Sequence, residues 1–131
     1  MFIPYLSDGN AASLTVEVIG LEKNLGNVHI AIYNQPSRFP KKNGMLRQTI
    51  LPVKNLMVRV TFEDLKEGQY AVATYHDKNG DKKFNQGFLG FPLEKYGFSM
   101  GAKAFFSAPD FSDAAFDLSN IAKTIVIDLS K

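Results

Sequence analysis

Side chains that carry oxygen occur at positions 77, 79, 81 and 85 of one short stretch, residues 77–85, and position 83 is a lysine. Calcium takes about six to eight oxygen ligands, which can be carboxylates, amides and backbone carbonyls. The spacing resembles the first nine positions of an EF-hand-type loop, with Gly80 permitting a sharp bend. The stretch therefore predicts a calcium-type cation site. Its candidate ligands are the side chains of Asp77, Asn79, Asp81 and Asn85 and the backbone carbonyl of Lys83.

The same stretch has a second interpretation that needs no metal. Asp and Asn side chains in turns accept hydrogen bonds from their own backbone and stabilise the turn alone. The twelfth loop position is Phe88 instead of the bidentate Glu of an EF-hand, and three lysines reduce the local negative charge. A remote carboxylate such as Glu94, Asp110 or Asp113 would be needed to complete the ligand shell. A capped turn and a cation site therefore both stay open.

His76 precedes this stretch directly and is a candidate for binding or for acid–base chemistry. A histidine beside carboxylates can act as a general base, so a hydrolase-like enzyme using His76 is one alternative. Neighbouring strand residues point to opposite faces, so we do not expect Asp77 to orient His76. No serine lies in a nucleophile elbow. We assign no catalytic residue and count His76 as a ligand-binding candidate. The other histidine, His29, is expected to face outward from its strand.

An aromatic-rich segment without a long periodic run fills most of residues 77–112. Disordered segments contain few aromatic residues, so we expect this loop to be ordered and to fold back over one end or edge of the sheet. Its rings form either a small satellite core or a partly exposed platform for a sugar, a peptide or a partner protein. The platform candidates, which lie near glycines, are Phe88, Phe91, Tyr96 and Phe98.

Short runs of alternating apolar and polar residues predict seven strands. They cover residues 14–19, 28–33, 46–53, 56–62, 71–76, 113–118 and 123–129. The first two are expected to form a hairpin, and Pro52 places the third at a sheet edge. In the fourth, Leu56, Val58, Val60 and Phe62 are expected to share one face. This pattern predicts an all-β fold, an antiparallel β-sandwich of the immunoglobulin or transthyretin kind with one long aromatic-rich loop.

A recurrent β-sandwich pattern lies between the fourth and fifth predicted strands. Leu65 is expected to close one end of the core, and Gly68 to provide a tight turn. The ring of Tyr70 is expected to be buried while its hydroxyl binds the backbone upstream, which is a tyrosine corner. These are structural roles.

Composition limits the classes of function that the chain can have. The 131 residues fit a tail over 1–12 and a single domain over 13–131. The absence of cysteine excludes disulfides, thiolate nucleophiles and cysteine-ligated zinc. The net charge of +2 comes from dispersed basic residues, so we expect no nucleic-acid partner. No apolar run approaches the roughly 18 residues of a membrane span.

Three motifs occur in order along the chain. They are His76-Asp77-x-Asn79-x-Asp81-x-Lys83-Phe84-Asn85, Gly90-x-Pro92-x-Glu94-x-Tyr96-Gly97-Phe98-Ser99 and Pro109-x-Phe111-x-x-Ala114-x-Phe116. Together they resemble the bacterial domain of unknown function 2141 family. The resemblance implies a small extracytoplasmic β-sandwich, usually made with a signal peptide, and brings no established enzymatic activity. A periplasmic or secreted location is therefore expected.

Together these observations predict a non-enzymatic extracytoplasmic binding or structural module. Calcium is the one cofactor considered, and the partner would be a small molecule, a glycan or a protein. The alternatives are a hydrolase-like enzyme that uses His76 with nearby carboxylates, and a protein-interaction subunit that docks through the aromatic loop.

Overall fold

The computed structural model describes residues 11–80 and 94–131, and this part of the chain is mostly strand. The strands are β1 (Ala12–Ile19), β2 (Asn27–Tyr33), β3 (Arg47–Pro52), β4 (Val58–Leu65), β5 (Gly68–Asp77), β6 (Tyr96–Phe98), β7 (Phe116–Leu118) and β8 (Ala122–Asp128). The described helical segments are a four-residue helix, α1 (Phe111–Ala114), and the 3-10 turns Pro36–Arg38, Lys42–Gly44 and Ser99–Gly101. Within the described ranges, no helix has the length and apolar character to cross a membrane.

The strands form two sheets, which confirms the predicted all-β class. The first sheet has the order β4-β1-β8, and the second has the order β3-β2-β5-β6 with β7 also paired to β5. All pairs are antiparallel except β1 with β8, which run parallel. The structure has eight described strands where the sequence predicted seven, because β6 lies inside the predicted long loop.

The main core lies between the two sheets and is built by alternate residues of each strand. On β1 the buried residues include Leu14, Val16 and Val18, and on β2 they include Val28 and Ile30. All five have no exposed surface. Because side chains alternate between faces, one apolar set per strand is enough to specify which face turns inward.

Strand pairing differs from the sequence prediction for the first two strands. The predicted hairpin is wrong, because β1 belongs to the first sheet and β2 to the second. The connection crosses between sheets, and Leu21 within it is buried in the main core. The last two strands also join different sheets, since β7 pairs with β5 and β8 pairs with β1.

Strand β4 starts later than predicted. Val58 and Phe62 are buried as expected, whereas Leu56 is 43% exposed. Leu56 lies in a tight turn with Asn55, and both have positive φ angles, which takes Leu56 out of the strand's alternation. The predicted edge position of the strand with Pro52 is confirmed, since β3 is the outermost strand of the second sheet.

The predicted tyrosine corner is present at the start of β5. The Tyr70 hydroxyl donates a hydrogen bond to the Lys66 carbonyl oxygen at 2.6 Å, and the ring is buried. Leu65 is buried beside it. Gly68 has a φ of 151°, a conformation that favours glycine, so the turn is built as the sequence predicted.

The second sheet is also covered on its outer face. A separate cluster there contains Ala31, Tyr33, Phe39, Ala71, Phe111 and Ala114, with Phe98 packed against it. The alanines of β2 and β5 leave room for the Phe39 ring, which contacts Tyr33, Phe98 and Phe111 edge to face. The expected satellite core is therefore found for part of the aromatic segment. It is wrong for Phe105 and Phe106, which are exposed.

We expect the Tyr70→Phe variant to be less stable by about 1 kcal/mol, because it removes one hydrogen bond and leaves the Lys66 carbonyl without that donor. Urea unfolding would show a lower midpoint with an unchanged slope. An unchanged midpoint would mean that the tyrosine corner contributes nothing measurable.

We also expect the protein to lose stability between pH 10 and about pH 12. Burial raises the pKa of Tyr33 from 10.0 to about 12. Because the folded pKa lies above the unfolded value, the contribution is fully present below pH 10 and is lost as pH rises towards the folded pKa. The loss is roughly 2 kcal/mol. Urea unfolding across this range would measure it, and Tyr33→Phe should reduce the slope. An identical slope in Tyr33→Phe would contradict this assignment.

Candidate functional site

Asp77 ends β5, and its carboxylate lies on the outer face of the second sheet. His29 faces the same way from β2, because His29 pairs with Tyr75 and Asn27 pairs with Asp77 in the register. Asp77 and His29 are therefore diagonal neighbours, and Asp77 Oδ2 accepts a hydrogen bond from His29 Nε2 at 3.0 Å. Asp77 has no exposed surface and His29 is 9% exposed. This buried pair joins the two central strands where the candidate loop begins.

Two tyrosines extend this outer face. The His29 ring stacks on Tyr75 with ring centroids 4.4 Å apart and planes 19° from parallel. Tyr75 pairs with Tyr96 across to β6, so both side chains leave the sheet on the same side. Both tyrosines are half-buried. The result is a row of three rings that runs across three adjacent strands.

His76 points to the opposite face of β5 and has no exposed surface. Its Nε2 lies 2.6 Å from the Leu25 carbonyl oxygen. A carbonyl only accepts, so Nε2 donates and carries the proton. Its Nδ1 is buried, and among the described residues it has no hydrogen-bond partner. As expected from strand alternation, Asp77 does not orient His76. The sheet also separates His76 from Tyr96 and Phe98.

At Glu94 the chain comes back to the start of the candidate loop. Its Oε2 accepts a hydrogen bond from the Lys78 backbone N–H at 3.1 Å, and the side chain is only 6% exposed. The buried Glu94 carboxylate is thus bonded to the residue that follows Asp77. Among the three remote carboxylates proposed from sequence, Asp110 and Asp113 instead form a capping box at α1. Only Glu94 is placed at the loop by a described contact.

The residue after Glu94 fixes the same end of the loop. The Lys95 carbonyl accepts a hydrogen bond from the His76 N–H at 2.9 Å, and Lys95 Nζ lies 2.6 Å from Glu22 Oε1. The Lys95 ammonium holds the pKa of the Glu22 carboxyl below its usual value. On the other side, Gly26 packs so closely against the carbonyls of Asp77 and Lys78 that a Cβ atom would clash. Both ends of the loop are therefore anchored to the segment before β2.

The structure describes only part of the predicted metal-ligand set. Asp77 ends β5 and Asn79 lies in the turn that follows it, where Gly80 has a φ of 69°. The other candidate ligands Asp81, Lys83 and Asn85, and the platform residues Phe88 and Phe91, lie outside the described residues. Within 11–80 and 94–131, no three His, Asp or Glu side chains gather as a metal-binding group.

Two platform candidates, Tyr96 and Phe98, are described and half-buried on β6. Their rings contact each other edge to face with centroids 5.8 Å apart. Phe98 also packs against Phe39 in the outer cluster, so part of its surface has a structural role. Tyr96 is the member that extends the row of rings formed with Tyr75.

His29 is the site residue that sequence reasoning missed. It was expected to face outward. Its side chain does point away from the main core, but His29 is only 9% exposed. The available signal was its place in β2, where a histidine interrupts an otherwise apolar run from Val28 to Tyr33. A strand that is apolar on both faces is usually buried on both faces, and a polar residue within it needs a partner.

Comparison with known proteins identifies the family. A family model described as an uncharacterized protein conserved in bacteria, DUF2141, matches residues 16–126. The chain belongs to this family. The DUF2141 match runs from β1 into β8, so it includes both sheets and the anchored loop, and it confirms the resemblance drawn from the three motifs. No curated protein and no solved structure matches the chain.

The His29–Asp77 contact predicts a measurable coupling. We expect His29→Ala to lower the free energy of unfolding by about 1–3 kcal/mol, because it removes the donor to a buried carboxylate. In a double-mutant cycle with Asp77→Ala, the two effects should fall short of additive by about 0.5–3 kcal/mol. Urea unfolding of the four proteins would measure this.

Gln48→Ala is the matched control for this cycle, because Gln48 is exposed on the neighbouring strand β3. Its effect should add to that of Asp77→Ala. Additivity of His29→Ala with Asp77→Ala as well would contradict the assigned contact.

Proposed function

We propose that this DUF2141 chain is a non-enzymatic extracytoplasmic binding module whose loop after β5 is held in place by a calcium-type cation. The loop would present the binding surface for a small molecule, a glycan or a protein. The observation that carries the cation part is the position of Glu94, whose buried carboxylate accepts a hydrogen bond from Lys78 at the start of the loop.

The position of Glu94 supplies what the sequence motif lacked. An EF-hand-type loop ends in a carboxylate at its twelfth position, where this chain has Phe88. Glu94, which follows the loop in the sequence, has its carboxylate bonded at the start of the loop. With Asp77, Asn79, Asp81, Asn85 and the Lys83 carbonyl, Glu94 makes a set of six oxygen-donor groups, which is within the range of about six to eight that calcium takes.

Burial of two carboxylates at the two ends of the loop is compatible with a cation. Asp77 has no exposed surface and Glu94 is 6% exposed. Both already accept hydrogen bonds, Asp77 from His29 and Glu94 from the Lys78 N–H. A divalent cation would add charge compensation to these hydrogen bonds. In this arrangement, His29 would orient the Asp77 carboxylate from behind, as outer hydrogen bonds do at metal sites.

The non-enzymatic part is supported by the environment of His76. A general base must come within hydrogen-bond reach of a substrate, yet His76 has no exposed surface and its Nε2 donates to Leu25. The hydrolase alternative would require that ring to become accessible. The half-buried rings of Tyr75 and Tyr96, with Tyr75 stacked on the buried His29 ring, offer flat apolar and polar-edged surface instead, of the kind that binds sugars or peptides.

The extracytoplasmic part of this proposal is supported by the family resemblance drawn from the sequence motifs. It fits a chain that contains no cysteine and therefore does not depend on the redox state of its compartment. Fractionation of the source bacterium with an antibody against the chain would decide the location, and recovery only with the cytoplasm would contradict it.

Calcium should stabilise the protein against heat. A ligand present at about 100 times its dissociation constant adds about 2.7 kcal/mol of stability, which would raise the melting temperature by several degrees. Thermal melts with millimolar calcium, with magnesium and with a chelator would measure this. We expect the calcium shift to be lost in Glu94→Gln and in Asp81→Asn.

Asp117→Asn is the matched control, because Asp117 is an exposed carboxylate on β7 that contacts Gln69. It should keep the full calcium shift. An unchanged melting temperature of the wild-type protein at millimolar calcium would refute the cation site, and a shift that survives Glu94→Gln would remove Glu94 from it.

A further inference from the structure

Strand β8 is an outer strand of the first sheet, and one of its two edges is open. The Leu129 N–H donates a hydrogen bond to the Ile19 carbonyl oxygen at 2.9 Å, so the main chain of Leu129 is directed towards β1. Main-chain groups alternate between the two edges of a strand, so those of every second residue point away from β1. The residues directed to the open edge are Ala122, Thr124, Val126 and Asp128. In the described part of the chain, no strand pairs with this edge.

The open edge of β8 lacks the protection that the other outer strands have. Proteins guard exposed edges with charged residues, proline, irregular backbone or a very short strand. Strand β3 has Arg47 and ends at Pro52, β4 contains Asp64 with a φ of 60°, and β6 has only three residues. The centre of β8 instead consists of four consecutive β-branched residues, 124–127, and Val126 is 55% exposed. Such an edge is a template for a further strand.

There is space for a further strand along this edge. A cleft of about 540 Å³ is lined by Val126 and Asp128 of β8 and by residues 101–103, which follow β6. Next to the other end of the strand, Ile121 is 68% exposed. The described chain therefore leaves the edge accessible at both ends.

We propose that the open edge of β8 pairs antiparallel with the same edge of β8 in a second copy of this chain. The pairing joins the first sheets of the two copies into one continuous sheet, with a two-fold axis at Val126. An interface of this kind is isologous, because each copy contributes the same surface. It uses a different surface from the loop after β5 and does not depend on a cation.

The side chains of β8 complement each other in this register. Val126 lies opposite Val126 of the second copy, which buries a side chain that is exposed in the single chain. Thr124 lies opposite Asp128, so its hydroxyl donates a hydrogen bond to the carboxylate, and Ile125 lies opposite Ile127. Pairs of these kinds stabilise a sheet. A shift of one residue is excluded, because it would place outward side chains opposite inward ones.

The charges at the two ends of β8 favour this antiparallel arrangement. The same register places Lys131 opposite Ile121 of the second copy, and Ile121 shares a cleft with Glu63 and Asp64. Among the described residues, neither Lys131 nor Lys103 of the larger cleft forms an ion pair. Their attraction to the acidic cleft of the second copy acts over roughly 10 Å and weakens as salt is added.

Four other charged residues lie near these ends, and each has a partner within its own copy. They are Lys95 bonded to Glu22, Glu94 bonded to the Lys78 N–H, Asp128 bonded to Ser130, and Lys123 over the Phe116 ring. The two that belong to β8, Lys123 and Asp128, lie opposite Leu129 and Thr124 of the second copy. Like charges therefore do not face each other across the paired strands.

Sedimentation velocity of the purified chain over a wide range of protein concentration tests the proposal. The chain should sediment as a dimer at high concentration and as a monomer on dilution. Val126→Lys should raise the dissociation constant of the dimer at least about tenfold, because it removes an apolar pair and places two ammonium groups directly opposite each other.

Ile50→Lys is the matched control, because Ile50 is an apolar residue, 37% exposed, on the outer strand β3 of the other sheet. This variant should dimerise as the wild type does. A wild-type chain that stays monomeric at every concentration overturns the proposal. Dimerisation that survives Val126→Lys, or that is lost to the same extent in Ile50→Lys, overturns it as well.

Disulfide cross-linking tests the register. The chain has no cysteine, so Val126→Cys introduces one thiol per copy. Residues directly opposite each other on antiparallel strands have Cα atoms about 4.5–5.5 Å apart, a distance that a disulfide spans. Oxidation with copper phenanthroline in air should therefore convert Val126→Cys into a covalent dimer.

Thr124→Cys is the control for cross-linking, because Thr124 lies on the same face and the same edge of β8. In the proposed register, the two copies of residue 124 are offset by four residues, or roughly 13 Å, so this variant should stay largely unlinked. A Val126→Cys chain that does not cross-link, or a Thr124→Cys chain that cross-links as readily, would overturn the proposed pairing.

Discussion

Strand β5 is covered on both faces, and the arrangement of the second sheet depends on this constraint. Its inward residues, including Tyr70 and Val72, join the main core, while Ala71 on the other face lies under Phe39 and α1. It pairs with β2, β6 and β7, so its backbone is hydrogen-bonded along most of its length. A strand buried on both sides leaves its polar residues dependent on partners inside the protein, because water does not reach them.

The carboxyl end of β5 shows how the protein meets that requirement. His76 on one face donates to Leu25, and Asp77 on the other face accepts from His29. Glu94 and Lys95 then bring the returning chain back to the same end of the strand. The loop between them begins and ends at one anchored point, where the buried carboxylate of Asp77 accepts from His29 and that of Glu94 accepts from the Lys78 N–H. That arrangement links the apolar packing of the sheet to the proposed cation site.

Local patterns in the sequence were enough to predict seven of the eight described strands and the tyrosine corner, because alternation and turn chemistry are properties of neighbouring residues, whereas the three-residue strand β6 was missed. Strand partners were not predictable in the same way. The β1–β2 hairpin was wrong because an apolar strand face does not specify which sheet the next strand joins. The burial of His29 depends on Asp77, which is distant in sequence. The exposure of Phe105 and Phe106 was missed because aromatic content alone does not indicate which rings pack inward.

Of the candidate site, the sequence predicted the loop and offered Glu94 as one of three remote carboxylates. Only the fold shows which of them lies at the loop.

We propose that a cation holds the loop after β5, with Asp77 and Glu94 among its ligands. The most direct test is a crystal structure of the chain grown with calcium. We expect one ion bonded to oxygens of both carboxylates at about 2.3–2.6 Å, with further oxygens from residues 79–85. An ordered loop whose Asp and Asn side chains hydrogen-bond only to their own backbone, with no ion between Asp77 and Glu94, would contradict the account.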